Sequence, residues 1–347
     1  MKDDARPTRS HLMKLFAQQG LHPRHDLGQN FLVDLNLLGL IVRHAKLSTA
    51  DVILEVGTGT GGLTTSLAPL AGQVVSVEYD DHVYQHAQAA LASHRNVTLV
   101  HGDALANKNT LNPDVIAAVE RALKNVRRRE HSQYGGPTDT GETDNPWQLQ
   151  PLDTTLKLVA NLPYHIATPV MSNLVASDLP WSRMVVTVQY EMAVRMMAQP
   201  KTSDYSALTV WMQAQGNLQL IRKLPPTVFW PPPKVDSAVL VVERNHERQA
   251  EIVDRDFFHD FVRDIFTQRR KLVAGVLSNL IDAGNAEWTA KVSVRTRPEI
   301  DAIFAELNIP ADARAEQVPV NQWVALANRL VSGPVNPTDN SPSSRSG

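Results

Sequence analysis

Short apolar runs alternate with amphipathic segments along the first two thirds of the chain. Runs of Val, Ile and Leu with few polar interruptions are typical of strands that are buried on both faces of a parallel sheet. The segments 35–45 and 63–70 between such runs carry apolar residues at helical spacing. This alternation predicts an open α/β fold with parallel strands. The predicted strands are 51–56, 74–77, 97–100, 156–160 and 184–188.

The last third of the chain has a different pattern. Alternating residues at 218–224 and 238–242 predict two more strands, which the proline-rich segment 225–237 joins. No strand pattern recurs after residue 245, so a small all-helical C-terminal domain is expected. Its predicted helices are 256–267, 269–280, 287–291, 297–307 and 320–330.

These patterns divide the chain into four parts. A basic segment, 1–26, precedes the α/β domain at 27–244; the helical domain follows at 245–333, and the Pro/Ser/Asn-rich tail 334–347 is predicted to be disordered. The α/β domain contains a long insert, 104–155. The insert holds one predicted helix, 113–129, and then a Gly/Thr/Asp/Pro-rich stretch that buries little and is expected to be a mobile surface loop.

Composition limits the classes of function. The 347 residues include no cysteine, which excludes disulfides and thiolate metal sites, and the formal net charge is −2. No apolar run approaches the roughly 18–20 residues of a membrane helix, and the N-terminus lacks the apolar core of a signal peptide. A soluble cytoplasmic protein is expected. His82 and His86 have metal-ligand spacing but no accompanying ligand pattern, so no metal site is predicted.

A glycine-rich loop and two acidic residues mark a nucleotide-type site. Gly57-Thr-Gly59-Thr-Gly61-Gly62 follows the first predicted strand and precedes a helix, a Rossmann-like order in which the backbone can approach a ligand. Glu78 ends the second strand, where a carboxylate can accept hydrogen bonds from a ribose diol. Asp103 follows the third strand and suits an adenine amino group. The string Gly57-x-Gly59-x-x-Gly62 also matches the dinucleotide fingerprint, so an NAD-dependent oxidoreductase is an alternative.

The segment Asn161-Leu162-Pro163-Tyr164 follows the fourth predicted strand and is named here the acceptor loop. Ligands of open α/β sheets bind outside the carboxyl ends of the strands. Pro163 holds Leu162 extended, so the Leu162 carbonyl and the Asn161 amide oxygen form two adjacent acceptors. Tyr164 offers a flat face beside them. The loop is either a receptor for a flat amine such as adenine or a polar turn between strand and helix.

Context favours the receptor. A cofactor that carries an adenosine, next to an amine-bearing acceptor, is the arrangement of an S-adenosylmethionine-dependent amino-methyltransferase, whereas the strand ends provide no catalytic set for hydride transfer. In the stiff segment 229–234, Phe229 is either the second wall for a base on Tyr164 or only an anchor of its loop. The cations Arg269, Arg270 and Lys271 either contact RNA phosphates or form solvated surface.

Seven motifs together resemble one enzyme family, the KsgA-type small-subunit ribosomal RNA adenine dimethyltransferases, which has the erythromycin-resistance enzymes as more distant relatives. The resemblance covers about residues 28–330. The motifs are Gly28-Gln-Asn-Phe-Leu32, Glu55-Val-Gly57-Thr-Gly59, Val77-Glu78, Gly102-Asp103, Asn161-Leu-Pro-Tyr164, Phe229-Trp-Pro-Pro-Pro-Lys-Val-Asp-Ser-Ala-Val239 and Phe266-Thr-Gln-Arg-Arg-Lys271.

The resemblance implies an S-adenosylmethionine site and an RNA substrate. The implied product is dimethyladenosine at two adjacent adenosines near the 3′ end of small-subunit rRNA, made by a monomer on a pre-ribosomal particle. Two alternatives remain: a resistance-type enzyme that acts on large-subunit rRNA, and a non-catalytic ribosome-assembly factor. The resemblance implies the cofactor residues Asn30, Leu32, Gly57, Glu78, Asp103 and Asn161. The residues predicted to receive the target adenine are Asn161, Leu162, Pro163, Tyr164 and Phe229.

Overall fold

The computed structural model describes residues 9–18, 23–24, 27–134, 154–284 and 286–332. The chain forms two compact units. The first comprises Met1–Val194 and Asn217–Arg244, and the second comprises Arg195–Gly216 and Asn245–Gly347. The predicted disordered tail, 334–347, and the part of the insert between residues 135 and 153 lie outside the described residues.

A seven-stranded sheet is the centre of the first unit. Its strand order is β4-β3-β2-β7-β8-β11-β9; the first five run parallel, and β11 is antiparallel to β8. This sheet confirms the predicted α/β fold. The strands of the chain are β1 (Phe31–Leu32), β2 (Asp51–Val56), β3 (Gln73–Glu78), β4 (Val97–His101), β5 (Leu105–Asn107), β6 (Thr110–Leu111), β7 (Thr155–Asn161), β8 (Trp181–Gln189), β9 (Gly216–Leu224), β10 (Phe229–Trp230) and β11 (Ser237–Arg244).

Helices between the strands cover the sheet. The Asp34 carboxylate caps α2 by accepting from Asn36 and Leu37, and the helix buries a stripe that includes Leu37 and Ile41. No described helix reaches the combination of length and apolar character that crossing a membrane would require. The helices of this unit are α1 (Arg9–Gln18), α2 (Leu35–Ala45), α3 (Gly62–Leu67), α4 (Asp81–Leu91), α5 (Pro113–Tyr134), α6 (Tyr164–Ala176) and α7 (Tyr190–Met196), the last of which ends in the second unit.

Part of the predicted insert forms regular secondary structure. Helix α5 connects β4 with β7 and packs on β2 and β3, where Val115, Val119, Ala122 and Val126 are buried. These positions recur at helical spacing, which places them on one face. The described part of 104–155 therefore supplies a crossover helix of the sheet, preceded by the short β5–β6 hairpin.

The second unit is helical and includes a segment that sequence analysis assigned to the α/β domain. Its helices are α8 (Ala207–Gln213), α9 (His246–Ala250), α10 (Arg255–Phe266), α11 (Val273–Ala283), α12 (Arg297–Glu306) and α13 (Val320–Ser332), with short 3-10 helices at Glu287–Lys291 and Ala315–Gln317.

Tertiary contacts set this boundary. Trp211 of α8 packs against Phe258 of α10, and the buried Tyr205 hydroxyl donates to the Val318 carbonyl at 2.8 Å. Apolar burial with the C-terminal helices therefore places residues 195–216 in the second unit, which otherwise begins at Asn245.

Gly72, in the turn before β3, provides a test of how tightly that turn packs against Thr49 and α5. A Cβ at this position would lie 2.2 Å from the Thr49 carbonyl oxygen and 2.9 Å from Val126 of α5. Gly72→Ala is therefore expected to lower the free energy of unfolding by about 1–3 kcal/mol, measured by urea denaturation. Gly39→Ala is the matched control: its Cβ would meet only the end of the Arg43 side chain, so the helix α2 should gain up to about 1 kcal/mol. Equal effects of the two substitutions would contradict the packing.

Candidate active site

One cavity of about 240 Å³ lies at the carboxyl ends of the parallel strands. It collects most of the residues that the sequence singled out, although they are separated by as many as 134 positions. Leu32 lines a smaller adjoining cavity of about 50 Å³ together with Gly57 and Asn161. The predicted residues that line the larger cavity are Asn30, Gly57, Glu78, Asp103, Asn161, Leu162, Pro163 and Tyr164.

The glycine loop, residues 57–62, lies directly against the acceptor loop. Gly57 has φ +84°, and its amide donates to the Val77 carbonyl at 2.9 Å. A Cβ on Gly57 would lie 3.4 Å from Pro163, and one on Gly59 would lie 3.2 Å from the Phe31 ring. Both positions favour glycine because φ is positive; at Gly59 the Phe31 ring also crowds a Cβ, whereas at Gly57 the contact with Pro163 would be an ordinary one.

Glu78 is a carboxylate held in place by backbone amides. One of its oxygens accepts from Gly59 at 2.9 Å, and the other accepts from Asp80 at 3.0 Å. Burial raises the pKa of Glu78, and the two amide hydrogen bonds oppose that shift. Each oxygen keeps a further lone pair, so the side chain is an oriented acceptor for hydroxyl groups at the cavity edge.

Asp103 lies at the mouth of the cavity. It is exposed, and one carboxylate oxygen accepts from the Leu105 amide at 2.9 Å. Tyr79 also lines the cavity and is 56% exposed. Sequence analysis missed Tyr79, because a single aromatic residue after a strand carries no periodic signal.

The segment 27–32 covers the glycine loop. β1 pairs with β10 through Phe31↔Trp230 and Leu32↔Phe229, and Phe16 of α1 packs edge-on against Phe31 and Trp230. Apolar contacts therefore tie the start of the chain to the cavity.

Phe229 does not form the predicted second wall in this structure. Its side chain is 2% exposed and belongs to the hydrophobic core, with Leu32 and Leu224 among its members, while the cavity lining does not include it. A large apolar ring on a strand that covers the core gains more from burial than from facing a polar cavity. Phe229 anchors its loop, the alternative that the sequence left open.

The Asn161 amide is held from two sides. Its Nδ2 donates to the Asn30 carbonyl at 2.8 Å, and its Oδ1 accepts from the Thr187 hydroxyl at 2.7 Å. The Tyr164 hydroxyl hydrogen-bonds Ser237, and burial raises the pKa of Tyr164, so the phenol stays neutral. Thr187 lies inside an apolar run, and sequence analysis did not single it out.

Gln29 and Asp80 form a second connection that sequence analysis missed. Asp80 caps α4 by accepting from His82 and Val83, and Gln29 Nε2 donates to the same carboxylate at 3.4 Å. The capping pattern of an Asp before a helix was the available signal for Asp80. Its contact with residue 29 depends on the tertiary structure.

Comparison with known proteins identifies the family. A family model described as Ribosomal RNA adenine dimethylase matches residues 20–309. The chain belongs to the ribosomal RNA adenine dimethylases. A relative from Moorella thermoacetica named Ribosomal RNA small subunit methyltransferase A is 36% identical over 277 residues, which cover 80% of this chain and 86% of the relative. A relative of the same name from Bacillus mycoides is 30% identical over 95% of this chain and 98% of its own.

Two solved structures share the fold of this dimethylase family member. A dimethyladenosine transferase from Plasmodium falciparum aligns with a TM-score of 0.62 at 21% identity, covering 85% of this chain and 95% of its own. The 23S rRNA methyltransferase ErmE aligns with a TM-score of 0.54 at 22% identity, covering 87% of this chain and 99% of its own. At these identities the likeness concerns the fold alone.

The basic cluster of this family member divides into one bound and two exposed cations. Arg269 donates to Glu316 at 2.8 Å and to the Ser203 carbonyl at 2.9 Å, all within the second unit. Arg270 and Lys271 are exposed. The three residues lie in the turn before α11, which begins at Val273 rather than at the predicted residue 269. Among the described residues, no group of three or more His, Cys, Asp or Glu side chains could hold a metal ion.

Glu55 is a buried acid beneath the glycine loop of the dimethylase. One oxygen accepts from Thr64 and from Ser76, the latter at 2.7 Å, while Oε1 has no hydrogen-bond partner among the described residues. Burial raises the pKa of Glu55 to about 7, against the lowering effect of the two hydroxyls. The protonated form is therefore favoured in mildly acidic solution.

This pKa makes stability depend on pH in a defined direction. The folded protein binds the proton of Glu55 more tightly than the unfolded chain does, so this group lowers the free energy of unfolding as pH rises from about 4.5 to about 7. Glu55→Gln cannot titrate. The difference in free energy of unfolding, variant minus wild type, should rise by up to about 3 kcal/mol over that interval and level off above it. Urea denaturation at several pH values measures it, and a flat difference would contradict the assignment.

Proposed function

We propose that this protein transfers methyl groups from S-adenosylmethionine to the exocyclic amines of two adjacent adenosines near the 3′ end of small-subunit rRNA. The product is dimethyladenosine. The observation that carries the proposal is the acceptor loop, residues 161–164, which lies in one cavity with Glu78 and Asp103. The relatives named Ribosomal RNA small subunit methyltransferase A support the choice of RNA.

The cavity fits an adenosine-bearing cofactor. Gly57 and Gly59 leave room for a ligand close to the backbone, and the oriented Glu78 carboxylate would accept from the ribose hydroxyls. Asp103 would accept from the adenine amine, beside the exposed Tyr79 ring. When bound, S-adenosylmethionine supplies an electrophilic methyl group. Asn30, Leu32 and Asn161 would complete its site from the cavities that they line.

The acceptor loop would hold the target adenine. Tyr164 stacks on the flipped base, and such a stack contributes roughly 1–3 kcal/mol. The Asn161 amide oxygen and the Leu162 carbonyl accept the two hydrogens of the amine, which leaves its lone pair less delocalised into the ring. Pro163 keeps the two acceptors adjacent. The residues act by positioning and electrostatics rather than as a strong base.

The second unit would contact the RNA backbone. Arg270 and Lys271 are exposed cations. A cation that binds an RNA phosphate releases a counterion from the RNA, and this release favours binding at low salt. Arg269 would contribute less, because Glu316 already neutralises it. We place the protein in the cytoplasm as a monomer that acts on a pre-ribosomal small subunit.

Two other functions are separable by experiment. The direct test is to incubate the protein with labelled S-adenosylmethionine and immature small subunits and then to map the modified adenosines. Methyl transfer only to large-subunit rRNA would indicate the resistance type of enzyme. Binding of the particle without any transfer would indicate an assembly factor.

Asn161→Ala tests the acceptor loop. Loss of the amide oxygen is expected to reduce methyl transfer by about a hundredfold or more, while binding of S-adenosylmethionine stays nearly unchanged. Transfer is measured on small subunits, and binding by calorimetry. The control is Asn173→Ala on α6, whose side-chain amide donates to the Lys108 carbonyl at 3.4 Å. Near-normal methylation by Asn161→Ala would refute the proposed acceptor.

Arg270→Ala and Lys271→Ala test the RNA surface. Each is expected to weaken binding of the small subunit and to reduce the slope of log affinity against log salt by about 1. Arg297→Ala is the control, because that cation is paired with Asp301 on its own helix. Unchanged salt slopes in both variants would remove these residues from the interface.

A further inference from the structure

Thr187 combines full burial with a polar contact to the proposed acceptor group. It lies on β8 between Val186 and Val188, and its side chain is 0% exposed. A buried hydroxyl without a partner costs about 1–3 kcal/mol, and valine would fill the same volume. Packing therefore does not account for a hydroxyl at this position, whereas a hydrogen bond to a partner does.

The partner is defined by the strand register. Thr187 and Asn161 are paired residues of the parallel strands β8 and β7, so their side chains leave the sheet on the same face. The Thr187 Oγ1 lies 2.7 Å from Asn161 Oδ1 and 3.5 Å from the Ala160 carbonyl. The shorter distance favours Asn161 Oδ1 as the acceptor of the Thr187 hydrogen bond. The Thr187 carbonyl also accepts from the Leu162 amide at 3.2 Å, so residue 187 contacts both members of the proposed acceptor pair.

Donor and acceptor rules settle which way the amide faces. The Asn30 carbonyl can only accept, so the Asn161 nitrogen must face it at 2.8 Å. The opposite end of the amide is then the oxygen, toward which Thr187 must donate. An amide oxygen has two lone pairs, so one remains for a further donor in the cavity that Asn161 lines.

We propose that Thr187 is a positioning residue for methyl transfer, which holds the oxygen end of the Asn161 amide while Asn30 holds the nitrogen end. This inference rests on the proposed role of Asn161. Asn30 prevents a flip that would present N–H groups to the incoming amine, and Thr187 fixes where the oxygen lies. Without the hydroxyl, a methyl group could not stay 2.7 Å from the oxygen, and the amide would shift.

The test compares a substitution that removes the hydroxyl with one that keeps it. Thr187→Val keeps the shape and removes the hydroxyl; kcat is expected to fall by about ten- to a hundredfold, because displacements near 1 Å have effects of this size. The dissociation constant for S-adenosylmethionine should change by less than about threefold. Thr187→Ser keeps the hydroxyl and should restore most of kcat. Ser182→Ala, at the other end of β8, removes a hydroxyl that donates to Thr155 and should leave kcat unchanged.

The outcomes separate this inference from the proposed function. A normal kcat for Thr187→Val, together with an inactive Asn161→Ala, would overturn the role of Thr187 and leave the acceptor loop intact. A Thr187→Ser variant as slow as Thr187→Val would also overturn it, since the hydroxyl would then not be the cause. An active Asn161→Ala would refute the acceptor itself. If Thr187→Val does not fold, Thr187→Ala provides the second hydroxyl-free variant, with thermal unfolding as its control.

Discussion

The parallel pairing of β2 with β3 on one side and β7 on the other is the constraint on which the site depends. Parallel strands end at the same edge, so the residues after β2, β3 and β7 meet although the chain separates them widely. Gly57 then lies so close to Pro163 that a side chain on it would be in contact with the proline. The cavity, the glycine loop and the acceptor loop all follow from this register.

Burial at this edge explains the electrostatics of the site. Glu55 and Glu78 lie on buried strands and are themselves buried, and this burial raises the pKa of each. Their hydrogen bonds differ. Glu78 is held by backbone amides and faces the cavity, whereas Glu55 is bound by hydroxyls beneath the glycine loop. Two similar acids therefore have different surroundings: Glu78 lines the larger cavity, and Glu55 bonds hydroxyls of α3 and β3.

Sequence patterns and the family resemblance together predicted the fold and eight of the residues that line the cavity, and particular residues show the limits of both. Buried strands and a capped helix after Asp34 are local signals, so their positions agreed within a few residues. Phe229 was misjudged as a candidate wall because a proline-rich segment does not reveal which face its aromatic residue takes. Arg269 carried the same signal as Arg270, yet its partner Glu316 is 47 residues away in the chain.

The sequence by itself determined the order of strands and helices, the glycine loop and the polar residues at the strand ends. These features depend on short-range periodicity and on residue types, such as glycine, that particular backbone conformations require. Tertiary structure alone decided the contacts between distant segments: Asn30 and Thr187 on either side of Asn161, Gln29 against Asp80, and the segment around Trp211 in the helical unit. Such contacts depend on register and packing, which join residues that no local pattern connects.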